Sequence, residues 1–353
     1  MRPVPDRHAG SSIWGDSMTR RRRLRKGAKA GFTGSAALLL AGCTGAQSAL
    51  DIRGSGAGTI ADIWWPMLAV GTVIYLLVAV IVLFLLFRRN QAQASRDNTR
   101  LAKRWIILGG IVLPTIVLVP LFVASARTLK TLMHATAGDL TVHVTGHQYW
   151  WEIRYKRAGD DIVAANEIHI PTGQRVRLEL TTADVIHSLW IPNLQGKTDL
   201  VPGQRNVMWI DASRAGISRA QCAEYCGTQH ALMALPVVAE SPAAFDAWTA
   251  RERLPASSPA NTAASAGASA FISVGCGTCH TIRGTAAGGT RGPDLTHLGS
   301  RSTLAAGTLD NTSANLTRWL SDPQAIKPGN KMPRVPLSPQ QLSSIVDYLR
   351  TLH

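Results

Sequence analysis

The chain has 353 residues, 46% of them hydrophobic and 17% charged, and a formal net charge of +15. Residues 1 to 42 hold nine Lys/Arg against two Asp/Glu, and residues 88 to 104 hold six against one, so most of the charge sits in two short segments. Such clustering argues against a nucleic-acid surface and directs attention to a membrane.

Arg20 to Lys29 is a dense basic run and Ala36 to Gly42 a short apolar one. Residues 1–42 therefore read as a signal peptide, with Met18 an alternative start to Met1. Leu40-Ala41-Gly42-Cys43 resembles a bacterial lipobox, which implies lipidation of Cys43 and leaves 43–63 as an N-terminal segment outside the membrane. A transmembrane hairpin is expected over 64–130. Its spans are the uncharged runs 66–87 and 105–126, the second containing Pro114 and Pro120. A 22-residue helix covers roughly 33 Å, enough for the hydrocarbon core. Prolines are tolerated there because neighbouring groups re-satisfy the freed carbonyls. The basic loop 88–104 belongs on the cytoplasmic side, so both flanks face outward. These signals predict a bacterial cytoplasmic membrane protein with everything after about Lys130 on the outer, periplasmic face.

From 138 to 250 the pattern changes to short alternating stretches: 140–145, 151–155, 167–170, 175–180 and 207–210, separated by Gly, Pro, Asn and Asp. Short strands at this spacing predict a β-sandwich or barrel. Within it lies Cys222-Ala-Glu224-Tyr-Cys226-Gly-Thr-Gln-His230-Ala-Leu-Met233. Two thiolates, an imidazole and a thioether are soft and borderline ligands, the set that suits copper rather than magnesium or calcium. A binuclear site needs a further imidazole, and His187 in Asp184-Val-Ile-His187 is the candidate. His134, His143, His147 and His169 have no comparable constellation and are expected at the surface or on strands.

Residues 251–269 are small, polar and Pro-containing, a composition that predicts a flexible linker. After it, 270–353 reads as a small helical domain, with helices over 313–321 and 339–352. Cys276-Gly-Thr-Cys279-His280 is the attachment pattern for a c-type haem. With Cys43 and the copper box it uses all five cysteines, leaving none for a structural disulfide. Met332, in Gly329-Asn-Lys-Met332-Pro, is the expected sixth iron ligand, with His297 as its competitor. The unit resembles a class I cytochrome c: the haem motif, then Gly292-Pro-Asp-Leu295, Lys-Met-Pro and a terminal helix. A Met/His pair raises the potential.

The whole mature chain resembles subunit II of haem–copper cytochrome c oxidases in the form with a fused cytochrome c domain. The motifs are the hairpin, Gly146-His-Gln-Tyr149-Trp150-Trp151, Val-Ile-His187-Ser-Leu-Trp-Ile-Pro, Gly196-Lys-Thr-Asp199 with Pro202-Gly203, and the copper box. The resemblance implies a multidomain membrane protein: a two-helix transmembrane hairpin, an all-β cupredoxin domain and an all-α cytochrome c domain. It implies a dinuclear CuA centre bridged by Cys222 and Cys226. His187, His230, Met233 and the Glu224 carbonyl would be its other ligands, with the Glu224 side chain at a magnesium ion bordering subunit I. A structural zinc on Cys222, Cys226, His230 and His187 is the alternative ligand set.

The implied function is electron entry: from a donor (cytochrome c or an upstream reductase) to haem c, to CuA, and on to haem in subunit I, where dioxygen is reduced to water. The same relay in a nitric oxide reductase is the rival, and a membrane-anchored copper or zinc module is the reading from another class. The implied partners are subunit I, subunit III, the donor and membrane lipid, with no nucleic acid. Two departures stand out. Tyr149 replaces a tryptophan common in relatives, leaving Tyr149, Trp150 and Trp151 as candidate electron-entry aromatics. The stretch before the second span, Arg100 to Trp105, lacks the acid found at a proton-channel mouth, so no channel role is expected.

Overall fold

A computed structural model describes residues 45–88, 99–133, 140–157 and 160–353. The signal peptide, Cys43, His134 and most of the loop between the spans lie outside the described residues.

Helix α1 (Ser55–Arg88) is followed by α2 (Thr99–Ile107), a π-helical turn at Leu108–Val112, and α3 (Leu113–Met133). Both long helical stretches are apolar and long enough to cross a membrane. The wide turn directly precedes Pro114, where an α-helical hydrogen bond would be missing anyway. Helix α1 starts well before the expected span because its first turns have a protein partner: Gly56, Ala57 and Ala61 are buried. The Ala57 amide donates to the Leu194 carbonyl at 2.9 Å. Ahead of it, the segment from residue 45 is strapped to the strand domain. Asp51 holds Arg53 at 2.7 Å and pairs with Arg214, and the Arg219 amide donates to Ala46 at 2.7 Å.

The strand domain comprises β1 (Leu140–His147), β2 (Trp150–Arg157), β3 (Asp160–Ala165), β4 (Ile168–Pro171), β5 (Val176–Thr182), β6 (His187–Ile191), β7 (Gln195–Leu200), β8 (Asn206–Ile210), β9 (Gly216–Cys222) and β10 (Ala234–Glu240). They form two five-stranded sheets, β3-β2-β1-β5-β8 and β4-β10-β9-β6-β7. Pairing is antiparallel except β1 with β5 and β4 with β10. Alternation sends every second residue of β1 inward, so Val142 and Val144 meet Leu178, Ile153, Leu189 and Leu235 in one core. Helix α4 (Pro242–Glu252) closes one end with Phe245 and Trp248.

The flexible linker expected over 251–269 is corrected by the structure. Helix α5 (Thr262–Ser273) occupies much of it, its first turn capped by Asn261. The residues between α4 and α5 are pinned. The Ala256 amide donates to Arg283 at 2.9 Å, and Ser257 Oγ to the Thr351 carbonyl at 3.0 Å. A small-residue helix looks like a tether in sequence, yet small side chains are what let α5 lie close to α8 (Pro339–Arg350). A Cβ on Gly267 would run into the Ser344 carbonyl of α8. Gly267→Ala should therefore destabilise the domain by about 2 kcal/mol, a clash of about 3 against about 1 recovered in helix propensity. A rise in its haem-monitored melting temperature would refute this. Helices α6 (Ser313–Ser321) and α7 (Pro323–Ile326) complete the unit, with the short strands β11 (Thr303–Leu304) and β12 (Leu309–Asp310).

His169 lies on a strand, as expected, and is buried there. Its two ring nitrogens lie 2.9 Å from Glu167 and 2.9 Å from Glu240, and the ring stacks on Trp248. Glu167 also accepts from the Ser302 amide at 3.1 Å and hydroxyl at 2.6 Å, joining the strand domain to the helical one. Burial opposes the His169 charge, but the two carboxylates outweigh it and hold its pKa above the ordinary 6.5. Burial likewise opposes Glu167 ionisation, but His169 and Ser302 prevail and hold it below 4.5. The His169 contribution is complete below pH 6.5 and is lost as pH rises through the elevated value. That of Glu167 is complete above pH 4.5 and is lost as pH falls through the depressed one. Stability from this cluster should peak between them, changing by roughly 1.4 kcal/mol per tenfold change in proton affinity. Melting temperatures from pH 5 to 9 should fall on the alkaline side, and His169→Gln should flatten that fall.

Candidate metal centre and haem site

Cys222 closes β9, and the chain then loops through Cys226 and a short helical turn at His230–Leu232 before Met233 leads into β10. His187 opens β6 in the same sheet. The loop is fixed by its own main chain: the Cys222 amide donates to Met233 and the Ala223 amide to Ser188, each at 2.9 Å. Gln148 donates to the Cys226 carbonyl at 2.7 Å.

The two sulfurs of Cys222 and Cys226 lie 3.8 Å apart, far beyond a disulfide bond. Cys222 Sγ is 3.8 Å from His187 Nδ1 and 3.2 Å from the Glu224 carbonyl. Cys226 Sγ is 3.8 Å from His230 Nδ1 and 3.9 Å from Met233 Sδ. Cys222, Cys226, His187 and Met233 are buried. His187 Nε2 donates to Asp184 at 2.9 Å, which fixes the tautomer and turns the Nδ1 lone pair toward the sulfurs. Its ring fits because residue 146 is glycine: a Cβ there would lie 2.8 Å from the imidazole. The hydrogen bond shared by the two thiols holds Cys222 well below the ordinary thiol range and pushes Cys226 up. A metal cation relieves that conflict by letting both ionise. Each sulfur has its own imidazole and one further donor, a near-symmetric set that suits soft metal ions. A single tetrahedral zinc would leave Met233 and the Glu224 carbonyl without a role.

The Glu224 side chain points away from the sulfurs and meets Lys197 at 3.4 Å, both half exposed. Of the three aromatics, Tyr149 Oη accepts from the Thr228 amide at 3.2 Å, inside the copper loop. Trp151 is buried 6.0 Å from the His187 ring, whereas Trp150 stacks on His147 instead. Asp184 had no role in the sequence reading, although its position three residues before His187 is the available signal. Asp184→Asn should weaken copper retention by about 10- to 100-fold, the usual cost of losing a partner behind a metal-binding histidine. Metal content after dialysis against a chelator measures it.

At the second site, Cys276–Thr278 forms a short helical turn entered through Gly275 in the left-handed region, φ 86°. Cys276 and Cys279 are free and partly buried, and burial pushes the Cys276 thiol up. His280 Nδ1 donates to the Pro293 carbonyl at 2.8 Å, leaving Nε2 for iron. Burial lowers the His280 pKa and so favours the neutral, ligating imidazole. Gly292 is required beside it, since a Cβ there would lie 2.7 Å from the ring. The loop bearing Met332 is held by Asn330 Oδ1 accepting from the Met332 amide at 2.8 Å, and Met332 packs on the same core as Cys276. His297, the competing ligand, is buried, and its Nε2 donates to the Leu254 carbonyl at 3.1 Å.

A sandwich with a soft-donor cluster, joined to two helices apolar and long enough to cross a membrane and to a helical domain bearing Cys-x-x-Cys-His, defines a protein of the cupredoxin and cytochrome c classes. The family model for the cytochrome c oxidase subunit II periplasmic domain matches residues 161–241, and that for cytochrome c matches residues 264–353. Cytochrome c oxidase subunit 2 of Alkalihalophilus pseudofirmus is 34% identical over 89% of this chain and 94% of its own length. That of Bacillus subtilis is 30% identical over the same shares. The periplasmic domain of subunit II of the Bradyrhizobium japonicum cytochrome oxidase is 28% identical, over 34% of this chain and 97% of that one, with a TM-score of 0.33. The chain belongs to the cytochrome c oxidase subunit II family, in the form with a C-terminal cytochrome c domain.

Proposed function

We propose that this chain is the electron-entry subunit of a haem–copper terminal oxidase. It takes single electrons from a donor at its haem site and passes them through its copper site to haem in subunit I, where dioxygen is reduced to water. The carrying observation is the double cage at Cys222 and Cys226 on the same chain as Cys276-x-x-Cys279-His280. When bound, the copper pair and the covalent haem supply one-electron chemistry. The protein's part is to hold donors in place. Cys222 and Cys226 would bridge two coppers, with His187, His230, Met233 and the Glu224 carbonyl completing them. Cys276 and Cys279 would anchor haem through thioether bonds, and His280 and Met332 would be its axial ligands. Burial keeps water from the sulfurs, and a rigid β-scaffold keeps ligand positions nearly constant, so little reorganisation accompanies each electron. The half-exposed Glu224 would meet magnesium at the border with subunit I. Cys43 would carry lipid, and both domains would stand on the outer face of the cytoplasmic membrane, with subunit III a further partner. A visible to near-infrared and EPR spectrum of the purified complex, with metal analysis and paired oxygen and nitric oxide consumption, tests this. A mixed-valence copper signal, a haem c band and oxygen uptake are expected. Zinc in place of copper, or nitric oxide as the acceptor consumed, would overturn it.

A further inference from the structure

The helical domain is seated on the strand domain, and the seat is built around one buried side chain. Lys327, just after α7, is 2% exposed. Its Nζ donates to three main-chain carbonyls: Leu232 at 2.8 Å, Ala305 at 3.0 Å and Tyr149 at 3.4 Å. Leu232 directly precedes Met233, and Tyr149 supports the copper loop through Thr228. Among the described residues no carboxylate pairs with Lys327. A buried ammonium satisfied only by carbonyls is costly to place, and it is retained where its geometry matters. Burial lowers its pKa to about 8, so the ammonium persists at neutral pH.

The surrounding contacts join the same segments. Gln229 donates to the Pro328 carbonyl, Lys331 meets Asp184 at 3.4 Å, and the Ala234 amide donates to Ala306 at 3.0 Å. To reach across, Ala305 and Ala306 adopt φ of 52° and 57°, a region alanine rarely occupies. Gly329 comes so close to Thr228 that a Cβ would lie 2.8 Å from its hydroxyl. One side of this seam runs into Met332, and the other carries Asp184, His230 and Met233.

We propose that Lys327 is a positioning residue for electron transfer, its ammonium holding the Met332 loop against the copper loops at a fixed separation. The inference rests on the relay reading above. One electron leaves the haem iron and arrives at the copper pair, and no bond is made or broken. Tunnelling rates fall exponentially with distance, so slack in this seam slows the step without altering either site. An ammonium suits the place because one atom offers three donors, enough to tie carbonyls of both domains together.

The test uses the purified oxidase complex carrying Lys327→Met, with the haem photoreduced by a ruthenium complex and both chromophores followed. The haem c and near-infrared copper bands should keep their positions and amplitudes. Haem-to-copper transfer should slow by about tenfold or more, the factor equivalent to ~1.4 kcal/mol of lost docking free energy. Broadening of the copper EPR signal by ferric haem should also diminish. Transfer at the wild-type rate overturns the proposal. If Lys327→Met does not load its metals, Lys327→Gln, which keeps one donor, is read in the same way. Loss of either spectrum in both variants also overturns it, because Lys327 is then a folding residue. A wild-type complex with no transfer between the centres would instead sink the relay reading itself.

Discussion

Cys226→Ser is expected to abolish the near-infrared copper absorption while leaving the haem c spectrum in place. Cys226 Sγ stands among three soft or borderline donors, with Cys222 and His230 at 3.8 Å and Met233 at 3.9 Å. A hydroxyl there is a hard, poorly ionised donor that cannot bridge two soft ions. The loss in oxidase turnover should exceed the roughly 100-fold that marks removal of an outer partner alone. The serine is nearly isosteric and sits in the large core of the strand domain, so the fold should survive. A surviving copper band would show that Cys226 is not a ligand, and loss of both spectra would show that the two sites are not separate.

The reciprocal experiment has an equally large expected effect. In Cys276→Ala/Cys279→Ala the protein should retain no covalent haem, and its C-terminal domain should become sensitive to protease while the copper EPR signal persists. The reason is the difference in cores. The strand domain gathers Trp151, Tyr155, Phe245, Trp248 and ranks of Val, Ile and Leu from both sheets. The helical domain has a much smaller buried set, and Leu295, Cys276 and Met332 are only partly buried at its edge. A domain of this size is marginal on burial alone, and a bound cofactor fills what the side chains leave open. Haem staining on a denaturing gel and limited proteolysis read the outcome. A protease-resistant domain without haem would contradict this account.

The two variants together separate the sites, and Lys327→Met asks how they are joined. That order reflects where the information lies in the chain. The copper box and the haem motif were legible because Cys222 to Met233 and Cys276 to His280 crowd their soft donors into twelve and five residues of sequence, whereas His187 and Met332 lie on separate segments. Their chemistry is written in residue type and spacing. The spans were legible because hydrocarbon demands long uncharged runs, and the alternating strands because pleating has a period of two. The candidate linker was misread because composition cannot distinguish a flexible tether from a helix whose small face packs on a neighbour. Gly267 becomes informative only when Ser344 is seen beside it.

The sequence by itself therefore determined the family, the fold classes and the candidate donor residues of the two motifs, since these depend on residue type and local spacing. Only the tertiary structure decided which groups stand behind the ligands and between the domains. Asp184 behind His187, Pro293 behind His280, the His169 carboxylate cluster and the Lys327 seat each join residues far apart in the chain or of ordinary local appearance. His297 is tied by the same kind of fact, to a backbone carbonyl 43 residues away. Such partners are chosen by burial and hydrogen-bond satisfaction after the chain has folded, and no local pattern records them.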